Sequence, residues 1–190
     1  METVIAFAVL TAAILGPVTL VAFSLGQTQA SQNKLIATNL GQEGIELIRA
    51  IRENNVICNL AWNTNPNGGT GMGEETNNYF TVDANDRTTA VGCTFSTPQP
   101  TTIAACDATS APPLNLDANG IYTHHPGPMP TPFRRCVTIC VPATSAPCNG
   151  AIDPDVSTAN DQIEVLSKVF WTDHGLPKSI EFRERLYNWR

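Results

Sequence analysis

His124 and His125 stand side by side before Pro126, and His174 follows Asp173. Paired imidazoles bind zinc, and an Asp-His pair can move protons. Neither pair has the spacing that its chemistry needs. Adjacent residues of an extended segment point to opposite faces, and no carboxylate pattern nearby completes a metal site. Asp173-His174-Gly175 reads most simply as a turn. Cys136, Cys140 and Cys148 suggest thiolate ligands, but positions four apart on a strand lie roughly 13 Å apart. They can neither share one ion nor bond each other. Asp83, Asn85 and Asp86, and separately Asp153, Asp155 and Asp161, are acidic groups of the kind that hold Ca²⁺. They lack the spacing, the Gly and the closing Glu of an EF-hand loop and read as solvated loops. No Gly-x-Ser-x-Gly, phosphate loop or His-Glu-x-x-His motif occurs. The expectation is a protein that is not an enzyme, with no cofactor and no metal.

One acid stands apart. Glu2 precedes 31 uncharged residues that end at Lys34. Within that run Thr3 to Leu25 is almost purely apolar and, as a helix, spans about 34 Å, enough for a bilayer core. A cleaved signal peptide would open with Lys or Arg, hold a shorter apolar core and end at a small-x-small site. A plain anchor passes the length test but has no use for an acid at its edge. Charge beside an apolar helix tends to have a partner or a function, although Glu2 resting among headgroups is the blander reading. Lys34, Arg49 and Arg52 follow the span and nominally pull that side inward. Gly16-Pro17 sits mid-span, where Pro removes one helical hydrogen bond and predicts a kink or local unwinding. Membrane helices also tolerate Pro for no other reason.

These residues must be carried by something long. From Gln27 onward Ala37, Leu40, Gly44, Ile48 and Ile51 recur at spacings of three and four, with Ile45 and Leu47 widening the same face. Glu46, Arg49 and Glu53 can pair on the solvent side. Asn54-Asn55 ends the pattern. The sum is a helix of about 50 residues, roughly 80 Å long if continuous. No strict heptad repeat supports a coiled-coil stalk, so the outer half needs a domain to cover it. The chain divides into a transmembrane half (1–26), an amphipathic half (27–54) and a head (55–190).

The head is rich in Thr, Pro, Asn and Gly, and Asn63 to Gly73 marks a loop. Tyr79 to Val82 is a short strand signal, and Phe133 to Val141 and Ile163 to Trp171 alternate. The turn at Asp173 to Lys178 leads into Ser179 to Arg183, making a C-terminal antiparallel hairpin. This is an α+β layout, a small antiparallel sheet packed on the outer half of the helix. All six cysteines lie in the head and fit an oxidising compartment with two or three disulfides. Of fifteen possible pairings, loop closure favours Cys93–Cys106 and Cys140–Cys148, leaving Cys58 for Cys136; buried free thiols are the alternative. A net charge of -6 with a pI near 4.9 argues against general nucleic-acid binding. Arg134 and Arg135 point to opposite faces of their strand and do not by themselves make a basic surface.

Met1-Glu2-Thr3-Val4-Ile5-Ala6 and the apolar run after it resemble the prepilin N-terminal motif of the type IV pilin and pseudopilin family, from its fourth mature residue onward. Asn33 to Arg52, Thr131 to Arg135, Val165 to Trp171 and Leu186 to Trp189 resemble segments of pilin-like proteins of small uncultured bacteria. Thr88 to Asn119 has no such counterpart. The family's basic leader, cleavage-site Gly and first apolar residues precede the glutamate. Here the motif is entered at Met1, through either an internal start or a missing leader. The resemblance implies a structural subunit of a type IV filament or type II secretion-like system. Glu2 would pair with a neighbouring subunit's N-terminal amine, and Gly16 and Pro17 would form a hinge that melts on assembly. It implies the membrane, identical or related subunits, a prepilin peptidase and an assembly ATPase as partners. The head would lie outside the cytoplasmic membrane, and on a surface filament after assembly. The alternative is a membrane-anchored extracytoplasmic binding domain that never polymerises.

Overall fold

The computed structural model describes residues 2–66, 71–72, 79–89, 93–141 and 161–188. The chain forms two compact units, Met1–Ile36 and Ala37–Arg190. Helix α1 (Glu2–Ile57) supplies the first unit and enters the second. The division falls inside the helix because Ala37 is the first of its residues to be buried.

In the first unit the apolar side chains face outward, with Val4, Phe7, Leu20 and Phe23 each about 70% exposed. Such a surface has no place in water, and this segment is long and apolar enough to cross a membrane. The hydroxyls of Thr11, Thr19 and Thr28 are satisfied by the helix's own carbonyls, as hydrocarbon demands. Thr11 Oγ1 donates to the Phe7 carbonyl at 2.9 Å, Thr19 to Gly16 at 2.8 Å and Thr28 to Ser24 at 2.9 Å. Helix continues through Gly16 and Pro17, with no unwound turn there.

In the second unit α1 runs three residues beyond the expected stop at Asn54. Asn55 is no breaker. Its buried side-chain amide donates to the carbonyls of Trp62 (3.2 Å) and Thr64 (2.8 Å), folding the next loop back onto the helix. The helix closes instead at Asn59, in the left-handed region at φ 56°. The Leu60 amide donates to Asn55 O and the Asn59 amide to Val56 O, the paired bonds of a Schellman cap.

Among the described residues seven strands follow: β1 (Tyr79–Thr89), β2 (Ser96–Thr102), β3 (Pro113–Leu116), β4 (Tyr122–Thr123), β5 (Met129–Cys140), β6 (Gln162–Asp173) and β7 (Leu176–Tyr187). All pairings are antiparallel. The three longest of the late strands form a meander β5-β6-β7. The other edge of β5 is shared: β1, with β2 outside it, takes the C-terminal end through Phe80↔Val137, and β3, with β4 outside it, takes the N-terminal end through Leu116↔Met129. Asp173↔Leu176 closes the β6–β7 hairpin on His174 and Gly175. Both have positive φ (49° and 78°), the type I′ geometry that matches strand twist.

Alternation along β5 sets the two faces of the sheet. Val137 and Ile139 meet Ile45, Ile48 and Ile51 of α1, together with Phe80, Val82, Ile163 and Val165, in the main core. Cys136 faces the other way, with Phe170 and Ala111. The expected α+β arrangement, one long helix packed on an antiparallel sheet, is what the chain adopts.

The disulfides differ from expectation. Cys58 bonds Cys93, and Cys106 bonds Cys136. The pairing Cys93–Cys106 is blocked because β2 lies between the two residues. β2 itself spans about 20 Å, and the two sulfurs, flanking its opposite ends, are taken by Cys58 and Cys136. The pairing Cys58–Cys136 fails because Cys58 follows the helix on one side of the sheet while Cys136 points to the other. The pairing Cys140–Cys148 reaches Cys148, which lies outside the described residues.

Candidate functional site

Two features carry chemistry, one in each unit. In the first, Glu2 is the acid of the first helical turn, exposed, and followed by the apolar segment. Gly16 has open space where a Cβ would stand. Gly16 and Pro17 both lie in the exposed part of the helix, where a partner's surface can reach them.

The second feature is a buried charge cluster where α1, β1, β4 and β5 meet. Arg135 sits on the core-facing side of β5 in line with Phe133 and Val137, and is fully buried. A buried cation is costly unless every donor finds a partner. Here Nη2 donates to the Val82 carbonyl (2.6 Å) and to Asp83 Oδ1 (3.1 Å). Nη1 donates to the Leu40 carbonyl of α1 (3.3 Å) and faces Glu43 Oε2 at 3.3 Å. Asp83 also accepts from the His124 amide (2.8 Å), His124 Nδ1 (2.6 Å) and Thr123 Oγ1 (3.2 Å). Burial pushes this carboxyl up, but the hydrogen bonds and charge of His124, with the Arg135 guanidinium, hold it below the usual aspartate value. The cluster binds the helix to three strands, and its ionic groups face each other, with Arg135 Nε left without a hydrogen-bond partner among the described residues.

The sequence candidates sort accordingly. His124 is part of this cluster, with Nε2 set against the Arg135 carbonyl at 3.1 Å. His125 is exposed and reaches only Asp86, at 3.5 Å. The two histidines do point apart. Asp83, Asn85 and Asp86 belong to β1 and not to a solvated loop, which corrects the sequence reading: a bulge between Val82 and Arg87 turns Asp83 inward. Among the described residues no group of His, Cys, Asp and Glu is arranged to hold a metal ion. Asp153 and Asp155 lie outside them. His174 bonds Asp173 at 2.9 Å on the exposed hairpin turn. Arg134 donates to the Ala111 carbonyl at 2.6 Å, while Arg135 is enclosed, so the pair presents no joint basic surface. Arg49 makes the expected pair with Glu46, and its other partner is Glu184 of β7 in place of Glu53.

Sequence reasoning missed the cluster. Its one usable signal was the Arg at position 135, charged on the face where its strand is otherwise apolar. The partners at 43, 83 and 124 are too distant in sequence for any local pattern to join them.

No family model, curated protein or solved structure matches this chain. What stands is a candidate transmembrane helix near the N-terminus and a disulfide-bonded β-rich head, the arrangement of a membrane-anchored extracytoplasmic domain.

Proposed function

We propose that this chain is a pilin-like or pseudopilin subunit of a type IV filament or type II secretion-like system. The observation that carries the reading is the division of labour along α1. Up to Leu25 its apolar side chains are bare, while from Ala37 onward one face is covered by the protein's own sheet. Bare apolar helix seeks lipid before assembly and other helices after it. Glu2 at the start of that segment is the group that selects a neighbour, by pairing with its N-terminal amine. A buried ion pair in hydrocarbon fixes axial register, because a misplaced subunit would leave the carboxylate unpaired. Gly16 and Pro17 supply the point of yield: Pro17 offers no amide hydrogen to the preceding turn. The partners are the membrane and identical or related subunits, served by a prepilin peptidase and an assembly ATPase.

The test is Glu2→Ala and Glu2→Gln in the native gene, with membrane and filament fractions assayed separately. Normal membrane insertion with loss from the filament fraction is expected. Filaments that keep the Glu2→Gln subunit at wild-type levels would remove the reading and leave a non-polymerising, membrane-anchored binding domain.

A further inference from the structure

His124 has an acceptor at both ends of its ring. Nε2 faces the Arg135 carbonyl at 3.1 Å, and a carbonyl only accepts, so Nε2 carries a hydrogen. Nδ1 faces Asp83 Oδ1 at 2.6 Å. Asp83 receives Arg135 Nη2, Thr123 Oγ1 and the His124 amide as donors, the surroundings of an ionised carboxylate, which also only accepts. Nδ1 therefore carries a hydrogen too. A neutral imidazole has one N–H, and this ring needs two.

We propose that His124 is an imidazolium in the closed head, and that its second proton is the latch fastening the strap of residues 117–127, which contains β4, onto β1 and β5. The charges around it are Asp83 on β1, Arg135 on β5, Glu43 of α1 beyond Arg135 at 3.3 Å, and, on the strap itself, His125 with Asp86 of β1 at 3.5 Å. His124 and Arg135 balance Asp83 and Glu43. Removing the ring proton at higher pH leaves a net negative charge and sets a lone pair against an acceptor, in a side chain only 9% exposed. The strap is also held by the β3–β4 pairing, by Asn115 Nδ2 donating to the His125 carbonyl (3.1 Å) and by the Tyr122 ring against Phe133, while at its tip Asp117 caps its own turn through the amides of Asn119 and Ile121 and meets Asn85 of β1 at 3.5 Å. Next to the latch lies an open cleft of about 270 Å³ with a mixed lining, Val82, Ile103 and Pro112 beside Asp83, His124 and His125. Release of the strap takes His124 and His125 out of its wall. An extracytoplasmic head meets external pH directly, so the device would act where such changes occur.

The experiment uses the full chain in detergent micelles, with ring nitrogens followed by ¹⁵N NMR and strap amides by hydrogen exchange corrected for intrinsic rates, from about pH 5.5 to about pH 9. Both His124 nitrogens should show N–H signals while the strap is protected. As the second proton leaves, exchange in 117–127 should speed by on the order of tenfold or more, with the β6–β7 hairpin unchanged. In His124→Gln the strap should exchange fast at every pH. A single-tautomer neutral ring under a protected strap overturns the proposal. So does strap exchange that stays level while His124 titrates, or a pH-dependent opening that survives in His124→Gln.

Discussion

Gly44 of α1 lies against Ser167 of β6 so closely that a Cβ on the glycine would overlap the serine Oγ. One turn earlier, Gly41 lies against Phe182 of β7, where a Cβ would stand 2.5 Å from the ring. Side chains of the sheet press onto the bare helix backbone along this line, which explains two glycines inside an otherwise regular helix. Gly44→Leu should lower the urea-unfolding free energy by about 3 kcal/mol, the upper range for overpacking. Gly44→Ala should cost less, because about 1 kcal/mol of helix propensity opposes the overlap. Adding Ser167→Gly should recover part of the Gly44→Ala loss, and a double-mutant cycle with no coupling would contradict the contact.

Arg135 is the fully buried member of the charge cluster, and its loss takes the guanidinium from Asp83, which keeps only Thr123 and His124 as partners. Arg135→Met keeps much of the volume and removes the charge. Unfolding free energy should fall by about 3–5 kcal/mol, the cost of breaking one side of a buried pair. Glu43 is about one-third exposed, so solvent screens it. Glu43→Gln should cost under about 1 kcal/mol. Equal losses in the two variants would place the energetic weight elsewhere than on Asp83.

Acid should loosen the head through Asp83. Its folded carboxyl is held below the usual aspartate value, so the folded state favours the ionised form. The stability this contributes is fully present above the ordinary aspartate range. It is lost as pH falls through the depressed folded value. Urea midpoints measured between about pH 5 and about pH 2 should fall steeply, and Asp83→Asn should start lower at pH 5 and flatten part of that slope. Asp107, whose carboxylate accepts from the amides and hydroxyls of Thr109 and Ser110, is also held well below its usual value, and so leaves some acid sensitivity in the variant.

The elements with strong periodicity were legible. Ala37, Leu40, Gly44, Ile48 and Ile51 all fall on the buried face of α1. The C-terminal hairpin follows from alternation and the His174-Gly175 turn. β2 was not legible because Ser96-Thr97-Pro98-Gln99-Pro100-Thr101-Thr102 has no apolar alternation and contains two prolines. It is an edge strand, pairing β1 alone, where proline's missing donor can face away from the ladder. β3 and β4 are four and two residues long, too short to show a period. The buried cluster was illegible for a different reason. Ionic residues on a core face gain their meaning from partners that only the tertiary fold supplies.

The cysteine framework gives the last prediction. Cys106–Cys136 joins residues 30 apart and ties the segment before β3 to the far face of β5, where Ala111, Cys136 and Phe170 form a small core. The Asp107 turn is anchored beside it by Arg134 reaching the Ala111 carbonyl. In the chain-entropy model a closed loop of this size contributes about 3–4 kcal/mol. Cys58–Cys93 joins the end of α1 to the chain entering β2, a link of similar span at 35 residues. Cys106→Ala with Cys136→Ala should therefore lower the unfolding midpoint under oxidising conditions and remove part of its response to a reductant, the remainder residing in Cys58–Cys93. Non-reducing peptide mapping should recover the 58–93 and 106–136 peptides as linked pairs. Recovery of a linked 93–106 peptide instead would overturn both observed pairings, since each of these cysteines is bonded elsewhere.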